Sequence, residues 1–111
     1  MLDIYPTLID LCNLTPKEEL EGRSFLPLLK KPSARWDRPA LTTHGRNNHS
    51  LRTERFRYIC YSDGTEELYD HRNDELEWNN LADNPKYNRI KKQLTKWLPK
   101  TNVPDVPKAK K

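Results

Sequence analysis

Apolar positions follow two rhythms along this chain. From Phe56 to Tyr61 they alternate, with Phe56, Tyr58 and Cys60 on one side and Ile59 and Tyr61 on the other, and this period of two predicts a strand. From residue 87 onward they recur at i, i+3, i+7, i+10 and i+11 through Tyr87, Ile90, Leu94, Trp97 and Leu98, one helical stripe whose lysines face away. Between the two, Ser62-Asp63-Gly64-Thr65 predicts a hairpin turn with Asp-Gly at its centre, and Glu67-Leu68-Tyr69-Asp70 predicts the returning antiparallel strand. Asn84 caps the helix, Pro85 takes its first position and Pro99 ends it. Residues 51–83 therefore organise the chain. Apolar groups on both faces of the Phe56 strand predict a central strand covered on two sides, with the helical stripe on one of them.

Upstream, the paired threonines of residues 40–44 favour a short strand, Gly45-Arg46-Asn47-Asn48-His49 forms a loop in which glycine and asparagine can take positive φ, and residues 50–53 resume the strand. Downstream of Asp70 the chain is polar until Trp78 and Leu81, which read as isolated anchors pinning a loop. The first residues form an apolar-periodic segment without a lead-in. Pro6 suits a first helical turn, and Ile4, Leu8, Leu11 and Cys12 then fall near one face of a helix that ends near residues 13–14. Such an abrupt start predicts a cut in a longer chain. Gly22 marks a corner, Ser24 caps a single turn carrying Phe25, Leu28 and Leu29, and Pro32 stops it.

Composition sharpens this picture. At 111 residues, with 34% hydrophobic and 32% charged, the chain can build only a thin core and is expected to lean on a partner surface. The net charge of +4 is uneven: residues 86–111 carry nine Lys/Arg against one acid, leaving residues 1–85 at −4. A basic end attracts nucleic acid, anionic lipid or acidic polysaccharide by non-specific Coulomb forces, but a solvated terminus is the commoner explanation. Cys12 and Cys60 fit neither a C-x-x-C pair nor a zinc pattern; their apolar neighbours point to buried free thiols, with a disulfide between them left open. No stretch approaches the ~20 apolar residues of a membrane span.

Chemical potential concentrates in His44, Arg46, Asn47, Asn48, His49 and Arg52. Two histidines could begin a metal site, but the loop offers no third ligand and no carboxylate, so no metal is assigned. Arginine presents a planar fork to sulfate or carboxylate while Asn and His add neutral donors, so the group is a candidate substrate-binding cluster; alternatively it only satisfies loop backbone. Carboxylates at Glu66, Glu67, Asp74, Glu75 and Glu77 lie beside turn residues and read as solvated loop faces. With no Gly-rich phosphate loop, G-x-S-x-G elbow or HExxH helix, the chain contains no recognisable catalytic centre.

The run EELYDHRNDELEWNNLAD, preceded by SLRTERFRYICY and by DIYPTLIDLC with LEGRSFLPLL, resembles the carboxy-terminal third of type I sulfatases, and is most similar to iduronate-2-sulfatase-like enzymes of bacteria. The resemblance covers about residues 2–99. It implies an α+β fold, the sulfatase C-terminal subdomain of the alkaline-phosphatase-like superfamily: a small antiparallel sheet of about four strands with a carboxy-terminal helix packed on one face. On this basis residues 1–32 would be the tail end of the catalytic domain, 33–99 the sheet subdomain with its terminal helix, and 100–111 a basic, disordered tail. Such sulfatases use a formylglycine made within a C/S-x-P-x-R motif and a calcium ion; neither Cys12, Cys60 nor any serine here fits that motif, so both groups are expected in a missing N-terminal catalytic domain. That domain is the implied partner, with a sulfated polysaccharide as the parent's substrate, a periplasmic or secreted location for the parent, and neither nucleic acid nor membrane as a partner. This chain alone is expected to be inactive, or to complement a separately encoded catalytic half. The alternative is a small nucleic-acid- or acidic-glycan-binding module with bases stacked on Phe56 and Tyr58.

Overall fold

Four strands answer the alternating pattern: β1 (Ala40–Thr43), β2 (His49–Arg52), β3 (Phe56–Cys60) and β4 (Glu66–Asp70), hydrogen-bonded in that order as one antiparallel sheet. The computed structural model describes residues 1–109, in two compact units, Met1–Asp37 and Arg38–Lys111.

In the second unit, the register sets Leu41 opposite Leu51, Leu51 opposite Tyr58 and Tyr58 opposite Leu68, so one apolar row crosses the sheet on a single face. The helix α3 (Asn88–Thr95) covers that row. Asn84 accepts a hydrogen bond from Lys86 N at 3.0 Å, opening a 3₁₀ turn, Pro85–Tyr87, that runs into α3 as the cap and proline predict. Leu51, Tyr58, Leu68, Ala82 and Leu94 are buried, with Tyr87, Ile90 and Leu98 packed against them. Trp97 departs from the stripe: the α-helix stops at Thr95, and Trp97 is 43% exposed in the turn that follows.

The loop after β4 is anchored differently from expectation. Trp78 is exposed, whereas Leu81 packs on the core and Ala82, a small residue without a signal in the pattern, is fully enclosed. Polar atoms do the fastening. Asn80 Oδ1 accepts from Leu68 N and Ala82 N at 3.0 and 2.9 Å, and Leu81 N donates to Leu68 O at 2.8 Å, satisfying the free edge of β4. β3 is central, as its apolar content predicts, yet its second face is only half covered: Ile59 is half-buried and Tyr61 is exposed.

In the first unit, α1 (Ile4–Leu11) turns a different side inward from the one its apolar spacing predicts. Thr7 and Ile9 are buried, while Ile4, Leu8 and Leu11 stay about half exposed and Cys12 is exposed. The cause is a polar stripe at i, i+4 and i+7. Asp3 accepts from Arg23 N at 2.7 Å, Thr7 Oγ1 accepts from Phe25 N at 3.0 Å, and Asp10 accepts from the Ser24 hydroxyl at 2.8 Å. Those three bonds set the rotation of the helix against residues 22–25. Gly22 is required at the contact, because a Cβ there would lie 1.9 Å from the Leu2 carbonyl oxygen. Ser24 acts one residue before the cap position of α2 (Leu26–Lys30), accepting from Leu26 N at 3.2 Å. Both cysteines are free, and Cys60 is half-buried, so neither the disulfide nor a buried Cys12 is found.

Candidate functional site

The hairpin between β1 and β2 carries most of the candidate residues. His44 N donates to Asn48 O at 3.1 Å and closes the loop, with Gly45 at φ +69° and Asn47 at φ +63°, left-handed positions that these residue types tolerate. Asn48 braces the loop from inside: its Oδ1 accepts from Ser62 N at 3.0 Å in the neighbouring hairpin, and its Nδ2 reaches Arg46 O at 3.4 Å. His44, Arg46 and Asn47 are left exposed at the tip.

His49 and Arg52 do not join them. His49 is buried and faces the helix-covered side, its Nδ1 2.9 Å from Thr43 Oγ1 and its Nε2 2.7 Å from Asn102 Oδ1. A carbonyl oxygen only accepts, so Nε2 carries the proton that meets Asn102, and Nδ1 faces the Thr43 hydroxyl. Arg52 sits at the other end of β2, on the opposite face, where its Nη1 donates to Thr53 O at 2.7 Å and reaches Glu54 O and Phe56 O at 3.4 Å. The cluster thus separates into an exposed tip of His44, Arg46 and Asn47, a brace at Asn48, a buried support at His49 and a backbone clamp at Arg52. The C-terminal segment reaches the same tip. Beyond the Asn102 contact with His49, Asp105 Oδ1 accepts from Arg46 N at 3.0 Å, so residues 100–109 hold two fixed contacts where a disordered tail is expected.

Several charged residues outside the cluster have fixed partners too. Asp70 is buried at the end of β4 and accepts from Arg55 through both oxygens at 2.8 and 2.7 Å, with Arg72 N and Asn73 Nδ2 as further donors. The Arg55 pairing, aided by those donors against the penalty of burial, holds the Asp70 carboxyl down to about 2. Glu77 meets Arg57 and His71, and although burial pushes its carboxyl up, those hydrogen bonds win and it is lowered. Glu66 is lowered by Lys91 and then by the Tyr58 hydroxyl; burial, then this same bond, raises the Tyr58 phenol. The carboxylates at residues 66 and 77 are therefore structural partners and not solvated faces. A sequence cue existed at Asp70, where Asp-x-x-Asn marks a turn closed by the aspartate side chain. A polar cleft of about 420 Å³ lined by Arg52, Arg55, His71, Arg72, Glu54 and Glu75 lies nearby, but Arg55 is spent on Asp70 and Arg52 on backbone carbonyls.

Among the described residues no three His, Cys, Asp or Glu side chains stand close enough to hold a metal ion. The cysteines lie in Cys12-Asn13-Leu14-Thr15-Pro16 and Cys60-Tyr61-Ser62-Asp63-Gly64, neither of which fits the formylglycine motif. Phe56 and Tyr58 lie under the helix, with the Tyr58 hydroxyl on Glu66 at 2.6 Å, which removes them as a platform for stacked bases. No helix among the described residues is long and apolar enough to cross a membrane.

Comparison with known proteins covers almost all of this chain. Residues 1–103 match the family described as N-sulphoglucosamine sulphohydrolase, C-terminal. A sulfatase of Formosa agariphila is 43% identical over 103 residues, 93% of this chain and 20% of that protein. A Delta 4,5-hexuronate-2-O-sulfatase of Bacteroides thetaiotaomicron is 33% identical over 98 residues, covering 80% of this chain and 20% of that one. Among solved structures, a 2-O GAG sulfatase superposes with a TM-score of 0.67 at 29% identity, over 82% of this chain and 22% of the other. The chain thus spans about a fifth of the length of the curated relatives it matches.

Proposed function

This chain belongs to the N-sulphoglucosamine sulphohydrolase C-terminal family, and from that premise we propose that it is the carboxy-terminal part of an enzyme that hydrolyses sulfate esters of sulfated polysaccharides. The observation that carries this reading is the match over residues 1–103, which takes in both structural units. In this reading residues 1–32 are the tail end of the catalytic domain and residues 33–99 the C-terminal sheet subdomain with its terminal helix. The formylglycine and the calcium ion belong to the part of the parent outside this chain, and the parent is periplasmic or secreted. The half-exposed apolar side of α1, with Ile4, Leu8 and Leu11, is the surface that the catalytic domain covers.

The hairpin tip supplies the substrate rim. His44, Arg46 and Asn47 present donors to an anionic sugar, Asn48 holds the loop's shape, His49 supports it from within, and Arg52 sets the strand that leads to it. In the parent, replacing His44 and Arg46 together by alanine is expected to lower kcat/KM on a 2-O-sulfated uronate disaccharide by about tenfold or more, the scale of one or two charge-assisted hydrogen bonds, with the melting temperature unchanged. Unaltered kcat/KM would remove the tip from the substrate site. The chain by itself is expected to release no sulfate from that disaccharide.

A further inference from the structure

The C-terminal segment carries one acid among nine Lys/Arg over residues 86–111, and that acid is the group seated on the hairpin tip. Asp105 Oδ1 accepts from Arg46 N at 3.0 Å, and both carboxylate oxygens lie against Gly45, 3.5 and 3.7 Å from where a Cβ would stand. Apolar packing does not bring the segment there, since Val103 and Val106 on either side are 74% and 88% exposed. Nor does regular structure, because residues 101–109 form neither helix nor strand. What holds the segment at the tip is the carboxylate itself, together with Asn102 on His49. Around it the Arg46 guanidinium and the His44 imidazole are exposed and make no hydrogen bond among the described residues.

We propose that the β1–β2 tip is a receptor for the carboxylate of a sugar acid, and that Asp105 occupies it as an internal stand-in for that group. The inference rests on the substrate-rim reading of the same tip and names what the rim recognises. A backbone N–H at a glycine corner donates to a flat, two-oxygen anion at close range, because no side chain at residue 45 blocks the approach. The Arg46 fork and His44 then remain for the second oxygen and the sugar hydroxyls. A tethered carboxylate acts at an effective concentration in the millimolar range or above, so it competes with any weak external anion. The segment that carries Asp105 is consequently a strap that a uronate-bearing glycan displaces.

The test uses the full chain and follows the backbone amides of residues 45–47 by NMR during titration with sodium glucuronate at constant ionic strength. Sodium acetate, sodium methyl sulfate and glucose serve as parallel probes. In Asp105→Ala, glucuronate is expected to give a saturable shift of the Arg46 amide with a midpoint at least fivefold below that of the unsubstituted chain. Asp105→Asn keeps the acceptor without the charge and should fall between the two. Acetate should bind more weakly than glucuronate, and glucose and methyl sulfate should leave the amide unmoved. Unchanged Leu51 and Leu68 amides report that the sheet is intact. No saturable shift in Asp105→Ala, or equal midpoints in the two chains, would overturn the receptor; a response to methyl sulfate as strong as to glucuronate would overturn the carboxylate assignment, and acetate equal to glucuronate would overturn the sugar acid. Glucuronate binding without any kcat/KM effect of the tip substitutions would leave the receptor standing and sink the substrate-rim reading. The reverse pattern separates the two the other way.

Discussion

The two units of this chain solve the same problem with different means. Arg38–Lys111 buries a continuous apolar row, Leu51, Tyr58 and Leu68, under Leu94 of α3, and its polar groups pair around that core. Met1–Asp37 buries Ile9 and Thr7 and orients α1 through hydrogen bonds from Arg23, Ser24 and Phe25, leaving Ile4, Leu8 and Leu11 about half exposed. Polar bonds set direction but add only about 1 kcal/mol each, whereas a fully buried leucine adds about 1.5–3 kcal/mol. The sheet unit therefore holds a core of its own, and the first unit leaves much of its apolar surface open.

The largest expected effect breaks the comparison on the sheet side. Leu68→Ala removes a side chain with no exposed surface from the centre of the row and should cost about 3–4 kcal/mol in urea unfolding. A loss below about 1 kcal/mol would show that the row is not what holds the unit together.

A smaller effect comes from acid. The Asp70 carboxyl, held to about 2 by Arg55, lies below its ordinary value near 3.8, so the folded chain binds fewer protons than the unfolded one between those two pH values. Its stabilisation is present above about pH 4 and is lost as pH falls toward 2. Asp70→Asn should cost about 2 kcal/mol at pH 7 and flatten the fall in stability across that window. Urea unfolding from pH 6 to 2 checks it, and an unchanged acid limb would contradict the assignment.

The smallest effect lies in the first unit and sharpens the contrast. Leu8→Ala, at a half-exposed site, should change the stability of the chain by no more than about 0.5 kcal/mol. In the parent, with the catalytic domain covering α1, the same substitution should cost at least about 2 kcal/mol. Equal and small effects in both would show that α1 remains uncovered.

How much of this was legible depends on the reach of each interaction. The hairpin turn centred on Asp63-Gly64, with Gly64 at φ +87°, and the Asn84-Pro85 helix start are set by neighbours a few residues apart. Those local signals yielded the antiparallel sheet and its terminal helix. The candidate cluster was half legible: its residue types marked the β1–β2 loop, but which of them remain free depends on Asn48 meeting Ser62 and His49 meeting Asn102, 53 residues away. Asp105 at the tip was not legible, since nothing near it in sequence points to Arg46.

The amino-acid order by itself determined which segments form strands and which form helices, because caps, turns and alternation are short-range properties of the backbone, although α3 stops at Thr95, short of Pro99, and β2 takes in His49 from the expected loop. Tertiary structure alone decided which sides were used. The i, i+4 and i+7 apolar spacing of Ile4, Leu8 and Leu11 marks a face of α1, yet Thr7 bonding Phe25 N, 18 residues away, turned the adjacent face inward. A period specifies an element; the partner that satisfies its polar groups specifies its orientation.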